Sequence, residues 1–150
     1  MLLVKKDILT RIDPVMPTVI LHGCNCLHTM GAGIAKYLST VYPQVYDADV
    51  SQSKKNDKSK LGSFTTAIIT PKFHILNCYT QYDYMRRNST APPVDYDAIR
   101  SCCKKVAERY RGWEIRTPKI GCGLAGGSWG IVQDIFIDEL KGLAVTVYEK

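Results

Sequence analysis

Two glycine-rich stretches constrain this chain more than any other feature. Each follows an apolar, β-like run and opens onto an amphipathic helical run. The first passes from residues 18–21 through His22-Gly-Cys-Asn-Cys-Leu-His-Thr-Met-Gly-Ala-Gly33 into residues 34–38. The second passes from residues 115–120 through Gly121-Cys-Gly-Leu-Ala-Gly-Gly127 into residues 128–132. Strand, glycine loop, helix is how α/β proteins aim backbone N–H groups at phosphate oxygens. Two such units in a short chain imply a ligand with two phosphates, or a phosphate and a sugar held between two loops.

The other elements interleave around these units. Residues 2–4 read as a strand. Residues 31–42 read as a helix with Ile34, Leu38 and Val41 on one face, stopped by Pro43. Residues 65–69 and 73–79 are β-branched or aromatic runs joined by a short Thr70-Pro71-Lys72 turn. The strongest helical pattern spans residues 95–110: Ile99, Cys102, Cys103, Val106, Ala107 and Tyr110 recur at helical spacing, with an aspartate near the start as a cap. Residues 114–120 read as a strand in which Pro118 marks an edge position or a local irregularity. A helix follows at 128–140, with Ser128 as its N-cap, and a last strand at 143–149. The alternation predicts a layered α/β fold. There is no internal repeat and no long linker, so residues 1–150 are expected to form one domain. Residues 54–60 and 85–93 are the expected mobile segments.

Composition narrows the setting. The chain has 150 residues, 45% hydrophobic and 23% charged, the balance of a soluble globular domain with a real core. No apolar run approaches the ~20 residues of a membrane span. The N-terminus lacks the order of a secretion signal, so a cytoplasmic product with six reduced cysteines is expected. The net charge of +6 fits an anionic partner and equally a solvated basic surface. The densest basic run, residues 51–60, is polar, lacks apolar anchors and reads as a loop.

The motifs exclude several chemistries. Gly121-x-Gly-x-x-Gly126 matches a dinucleotide fingerprint, but a Rossmann domain needs a further βα unit and an acid after the next strand, and only one helix and one strand follow. His22-x-Cys-x-Cys-x-His28 alternates strictly, as a strand end does, whereas zinc ligands are spaced by two or more residues; no metal is expected. There is no Gly-x-Ser-x-Gly elbow and no Walker motif. His22, where the strand runs out into the loop, is either a satisfied polar group or an acid–base group at the mouth of an anion site. Asn25 is either a ligand for a ribose or phosphate oxygen, or a turn former bonding its own backbone.

Taken together, Lys6-Asp-Ile-Leu9, His22-Gly-Cys-Asn-Cys26, Met30-Gly-Ala-Gly-Ile-Ala35 and Ile120-Gly-Cys-Gly-Leu-Ala-Gly-Gly127 resemble a macro domain, in order, over residues 2–148. The nearest type is the ADP-ribose-1''-phosphate phosphatases, with ADP-ribosyl-glutamate hydrolases as cousins. The resemblance implies a three-layer α/β/α fold on a mixed sheet, with ADP-ribose in a cleft at its crest and no cofactor. It implies that Asp7 accepts a hydrogen bond from the adenine amine, with Ile8 and Leu9 beside it. Asn25, flanked by Cys24 and Cys26, would face the distal ribose. Gly31, Ala32, Gly33, Ile34, Ala35 and Lys36 would pass the diphosphate. Gly121, Cys122, Gly123, Leu124, Ala125 and Gly126 would close over the phosphates. His22 and Asn25 match the catalytic positions of the phosphatase type.

Two positions depart from the cousins. They carry a lysine where this chain has Gln81 and an acid where it has Ala125, and neither replacement can form a sugar adduct or act as a base. The resemblance implies, as the first reading, a metal-independent phosphatase on ADP-ribose 1''-phosphate. The alternatives are a reader of ADP-ribose or ADP-ribosylated protein, and a de-ADP-ribosylating hydrolase. Neither a membrane nor a nucleic acid is expected as a partner.

Overall fold

The computed structural model describes residues 1–85 and 90–149. Six strands form one sheet: β1 (Leu2–Val4), β2 (Thr18–Cys24), β3 (Phe64–Thr70), β4 (Phe73–Tyr79), β5 (Glu114–Thr117) and β6 (Val145–Tyr148). Their order is β1-β6-β5-β2-β4-β3. Within this sheet β3 and β4 pair antiparallel, and the other neighbouring strands run parallel. Four helices cover the sheet: α1 (Gly33–Val41), α2 (Gln44–Gln52), α3 (Tyr96–Arg109) and α4 (Trp129–Glu139).

Alternation along β2 divides the core in two. Val19 and Leu21 face Ile99, Cys102 and Val106 of α3 and Val132, Ile135 and Phe136 of α4. Ile20 faces Leu38 of α1 and Val45 and Ala48 of α2, with Ala67 and Ile75 beside it. The result is the expected α/β/α sandwich on a mixed sheet. No described helix is long and apolar enough to cross a membrane.

The topology places the two glycine loops together. From β2 the chain leaves through α1 and α2 toward β3 and β4. From β5 it leaves through α4 toward β6, in the opposite direction across the sheet. β2 and β5 are neighbours, so their carboxyl ends flank the crevice where connections diverge, the usual ligand position in open α/β sheets.

Some expectations need correction. β5 stops at Thr117, before Pro118, and lies between β2 and β6. Pro118 thus marks a strand end, where no ladder N–H is needed, and not an edge strand. Pro43 stops α1 but also serves as the N-cap of α2, a helix the hydrophobic pattern does not reveal. Its inward face includes Asp49, a buried carboxylate that accepts from Tyr79 Oη at 2.6 Å. A charged residue on the buried face breaks the apolar period. Nor are residues 54–60 a free polar loop. They contain a 3-10 turn at Lys58–Lys60, and Lys60 is buried, donating to Ser53 Oγ at 3.0 Å and to the Lys54 carbonyl at 2.7 Å. The expected mobile segment 85–93 falls partly outside the described residues.

Candidate functional site

The first glycine loop is folded by its own polar side chains before it reaches the surface. Asn25 donates through Nδ2 to the Thr29 carbonyl (3.1 Å) and Oγ1 (2.7 Å), and its Oδ1 accepts from the Leu27 amide at 2.9 Å. Both ends of the amide are therefore used on the loop, the turn-forming alternative for this residue. Cys24 and Cys26 are buried below, and burial pushes their thiols up, Cys26 to about 11. All six cysteines are free thiols. The loop surfaces at Gly31, Ala32 and Gly33, which are exposed.

There α1 begins. Its N-cap is Ala32, which has no side-chain oxygen, and its first turn carries no acid. The first amides of a helix lack intrahelical acceptors, and the dipole makes that end positive. At the start of α3 the same demand is met internally, by the Asp95 carboxylate accepting from the Ala98 amide. An anion can fill the corresponding role at α1.

The second loop closes on itself. The Gly127 amide donates to the Gly121 carbonyl at 2.6 Å and the Gly126 amide to the Gly123 carbonyl at 3.0 Å. Gly121 sits at φ 74°, in the left-handed region that favours glycine. Ala125 is buried, and its carbonyl accepts from the Val94 amide. The tip projects outward, with Leu124 82% exposed. The amides of Gly123, Leu124 and Ala125 find no acceptor among the described residues. Ser128 holds the N-cap position of α4, as expected, but its side chain makes no capping bond; its amide donates to Tyr96 Oη instead.

Beside these loops lies a cavity of about 330 Å³, lined by Lys6, Asp7, Ile8, Gly33, Ile34, Tyr37, Pro118 and Tyr148. It joins the segment after β1, the start of α1 and the carboxyl ends of β5 and β6. Asp7 Oδ1 accepts from the Leu9 amide at 2.9 Å, and Oδ2 accepts from Tyr37 Oη at 2.7 Å, which raises the Tyr37 phenol. Asp7, Ile8, Gly33 and Ile34 of the expected set thus meet here. Leu9 packs on the core beneath. Ala35 and Lys36 continue along α1. Gly31 lines a second, more open depression with His28, Met30 and Tyr46. Asn25, Gln81 and residues 121–126 do not line the cavity, and Gln81 Nε2 donates to the Asp83 carbonyl. Sequence reading missed Tyr37 and Tyr148. Tyr37 was legible, lying three residues after Ile34 on the same helix; Tyr148 becomes relevant only once β6 is placed beside β5.

His22 requires the main correction. It does not stand at the mouth of the loop but inside β2, fully buried. Its Nε2 lies 2.6 Å from Asn77 Oδ1. Asn77 Nδ2 donates to the Val45 carbonyl and Thr65 Oγ1, so Oδ1 must accept, and Nε2 carries the proton. Cys24 Sγ lies 3.6 Å from Nδ1, and its thiol, kept protonated by burial, can donate there. Burial holds the imidazole pKa down at about 4, against the Asn77 bond and Asp49, which both raise it. Of the two alternatives for His22, the geometry matches the satisfied polar group. Among the described residues no three His, Cys, Asp or Glu side chains converge into a metal-binding group.

Sheet order, divergent crevice and paired glycine loops define the macrodomain fold, and comparison with solved structures agrees. A Bacteroides thetaiotaomicron protein superposes with a TM-score of 0.89 at 30% identity, covering 100% of this chain and 99% of that one. A macrodomain protein from Streptomyces coelicolor gives 0.76 at 26% identity, covering 99% and 98%. A mutant Oceanobacillus iheyensis macrodomain with ADPR gives 0.62 at 18% identity, covering 89% and 77%, a likeness of fold alone. No protein-family model matches the sequence. An uncharacterized 17.5 kDa protein from the tk-vs intergenic region of Enterobacteria phage T4 is 34% identical over 137 residues, 87% of this chain and 84% of that protein. The chain belongs to the same family as this phage protein.

Proposed function

We propose that the protein binds ADP-ribose across the divergent crevice. The adenine occupies the cavity at Asp7 and Ile8, where the carboxylate accepts from the exocyclic amine. The diphosphate caps the start of α1 at Gly33 and Ile34. The second loop, through the amides of Gly123 to Ala125, covers the distal side. One observation carries this reading: the uncapped helix start and the aspartate line one and the same cavity. The ADPR held by the Oceanobacillus macrodomain is consistent with it.

On turnover, we favour a reader of ADP-ribose or of ADP-ribosylated protein. Both side chains expected to carry chemistry, His22 and Asn25, are spent on the fold. Gln81 and the buried Ala125 offer neither the nucleophile nor the base of a glutamate-directed hydrolase. A second reading, phosphate removal from ADP-ribose 1''-phosphate, draws support from the acceptor-less amides of the second loop, which suit a phosphoryl group.

Two measurements test this. Calorimetry on Asp7→Ala is expected to register a loss of ADP-ribose affinity of about 10-fold or more, the worth of a hydrogen bond to a charged group. Unchanged affinity would remove adenine from the Asp7 cavity. Incubation of the wild-type protein with ADP-ribose 1''-phosphate is expected to release no phosphate above buffer. Multiple turnovers, retained in His22→Ala, would establish the phosphatase reading with the loop amides as its machinery.

A further inference from the structure

We propose that Arg116 is a positioning residue that sets the base preference of the cleft by fixing the segment that carries Asp7. The inference rests on the adenine reading of the Asp7 cavity. Arg116 lies on β5, directly below that segment, and its side chain is buried. Nη1 donates to the Ile8 carbonyl at 2.8 Å and to the Thr10 carbonyl, and Nη2 donates to the Arg11 carbonyl at 3.0 Å. Nε donates to Glu114 Oε1 at 2.9 Å, which supplies the counter-charge. Four hydrogen bonds thus engage a planar group with five donors.

The segment above is also held by the Leu9 amide and Tyr37 Oη on the Asp7 carboxylate, and by Ile8 and Leu9 packed on the core. It forms no strand, and its own backbone contributes one turn, from the Thr10 amide to the Asp7 carbonyl. Arg11 ends it at φ 48°, a left-handed conformation uncommon for a non-glycine residue. Its carbonyl is one of the three that Arg116 holds. The guanidinium also lies 5.1 Å from the centre of the Tyr148 ring, and Tyr148 is a wall of the same cavity. Arg116 therefore touches no ligand itself. It fixes the main chain next to Asp7 and braces one wall, a backbone support for the carboxylate that the Leu9 amide and Tyr37 Oη hold directly. Lysine cannot replace it, because a single ammonium cannot span three carbonyls in one plane.

The test compares ADP-ribose with its inosine analogue, in which a carbonyl replaces the exocyclic amine, by calorimetry on wild type and Arg116→Lys. Wild type is expected to favour ADP-ribose by about 10-fold or more. In Arg116→Lys, ADP-ribose is expected to weaken about 10-fold and the analogue by about twofold at most, so the preference nearly vanishes. A purely structural role would weaken both ligands alike; a preserved ratio overturns the proposal. If the lysine variant does not fold, the same two ligands are compared on Glu114→Gln, which removes the counter-charge that orients the guanidinium. A reduced preference for ADP-ribose supports the proposal, and a preserved ratio overturns it. Failure of the wild type to bind either ligand would defeat the functional reading itself, an outcome distinct from a preserved ratio.

Discussion

Gly127→Val is expected to destabilise the protein by about 3 kcal/mol or more and to abolish ADP-ribose binding. A Cβ at this position would lie 2.5 Å from the Gly121 carbonyl oxygen and 3.1 Å from its carbon. Both are backbone atoms, which cannot rotate away as a side chain can. The same oxygen accepts the Gly127 amide at 2.6 Å, so relief of the clash breaks the bond that closes the loop. The strain spreads, because Val94 Cγ2 lies 3.3 Å from the new Cβ and the Val94 amide is tied to the Ala125 carbonyl. Urea titration reads the stability, and calorimetry reads the binding. Gly123→Ala is the control: nothing lies within 4 Å of its Cβ, so a change within about 0.5 kcal/mol is expected. Wild-type stability in Gly127→Val would refute the closed loop.

Acidification supplies the second large effect. Burial holds the His22 pKa down at about 4 in the folded protein, against about 6.5 for a free imidazole. Between these values the unfolded chain binds the extra proton, so stability falls as pH falls through this window and is fully present above it. A depression of this size corresponds to about 3 kcal/mol between neutral pH and pH 4. His74, also held low by burial, adds in the same direction. Asp13 and Asp57, whose carboxyls are held below their usual range by turn amides and by Ser59, lose their contribution only at still lower pH. Urea midpoints at pH 7.5 and 4.5 are expected to separate strongly in wild type and much less in His22→Gln. An equal separation in both would place the titrating group elsewhere. The same measurement reports the buried setting of His22 inside β2, where its Nε2 is bonded to Asn77 Oδ1.

The parts of the fold that rest on simple periodicity are legible in the sequence. The helix at Ile99, Cys102, Cys103 and Val106 and the hairpin of β3 and β4 follow from apolar spacing and turn residues. The glycine loops were legible as strand-to-helix connections because they sit between strand and helix signals. What the sequence hid lies in buried polar residues. Asp49 turned the inward face of α2 into an unreadable pattern, and Lys60 inverted the reading of a basic loop. His22 was placed one step too far along, because the end of a strand and the start of a loop share the same polar composition. Its depth depends on Asn77, 55 residues away. Arg116 was invisible for the same reason: its partners, Ile8, Thr10 and Arg11, lie more than a hundred residues upstream.

The most direct test of the central claim is titration of the wild-type protein with ADP-ribose by calorimetry at pH 7.5. The expected result is saturable binding of one ADP-ribose per chain, lost or much weakened in Asp7→Ala. No saturable heat at about 1 mM ligand, where even a weak specific site is substantially filled, would contradict it.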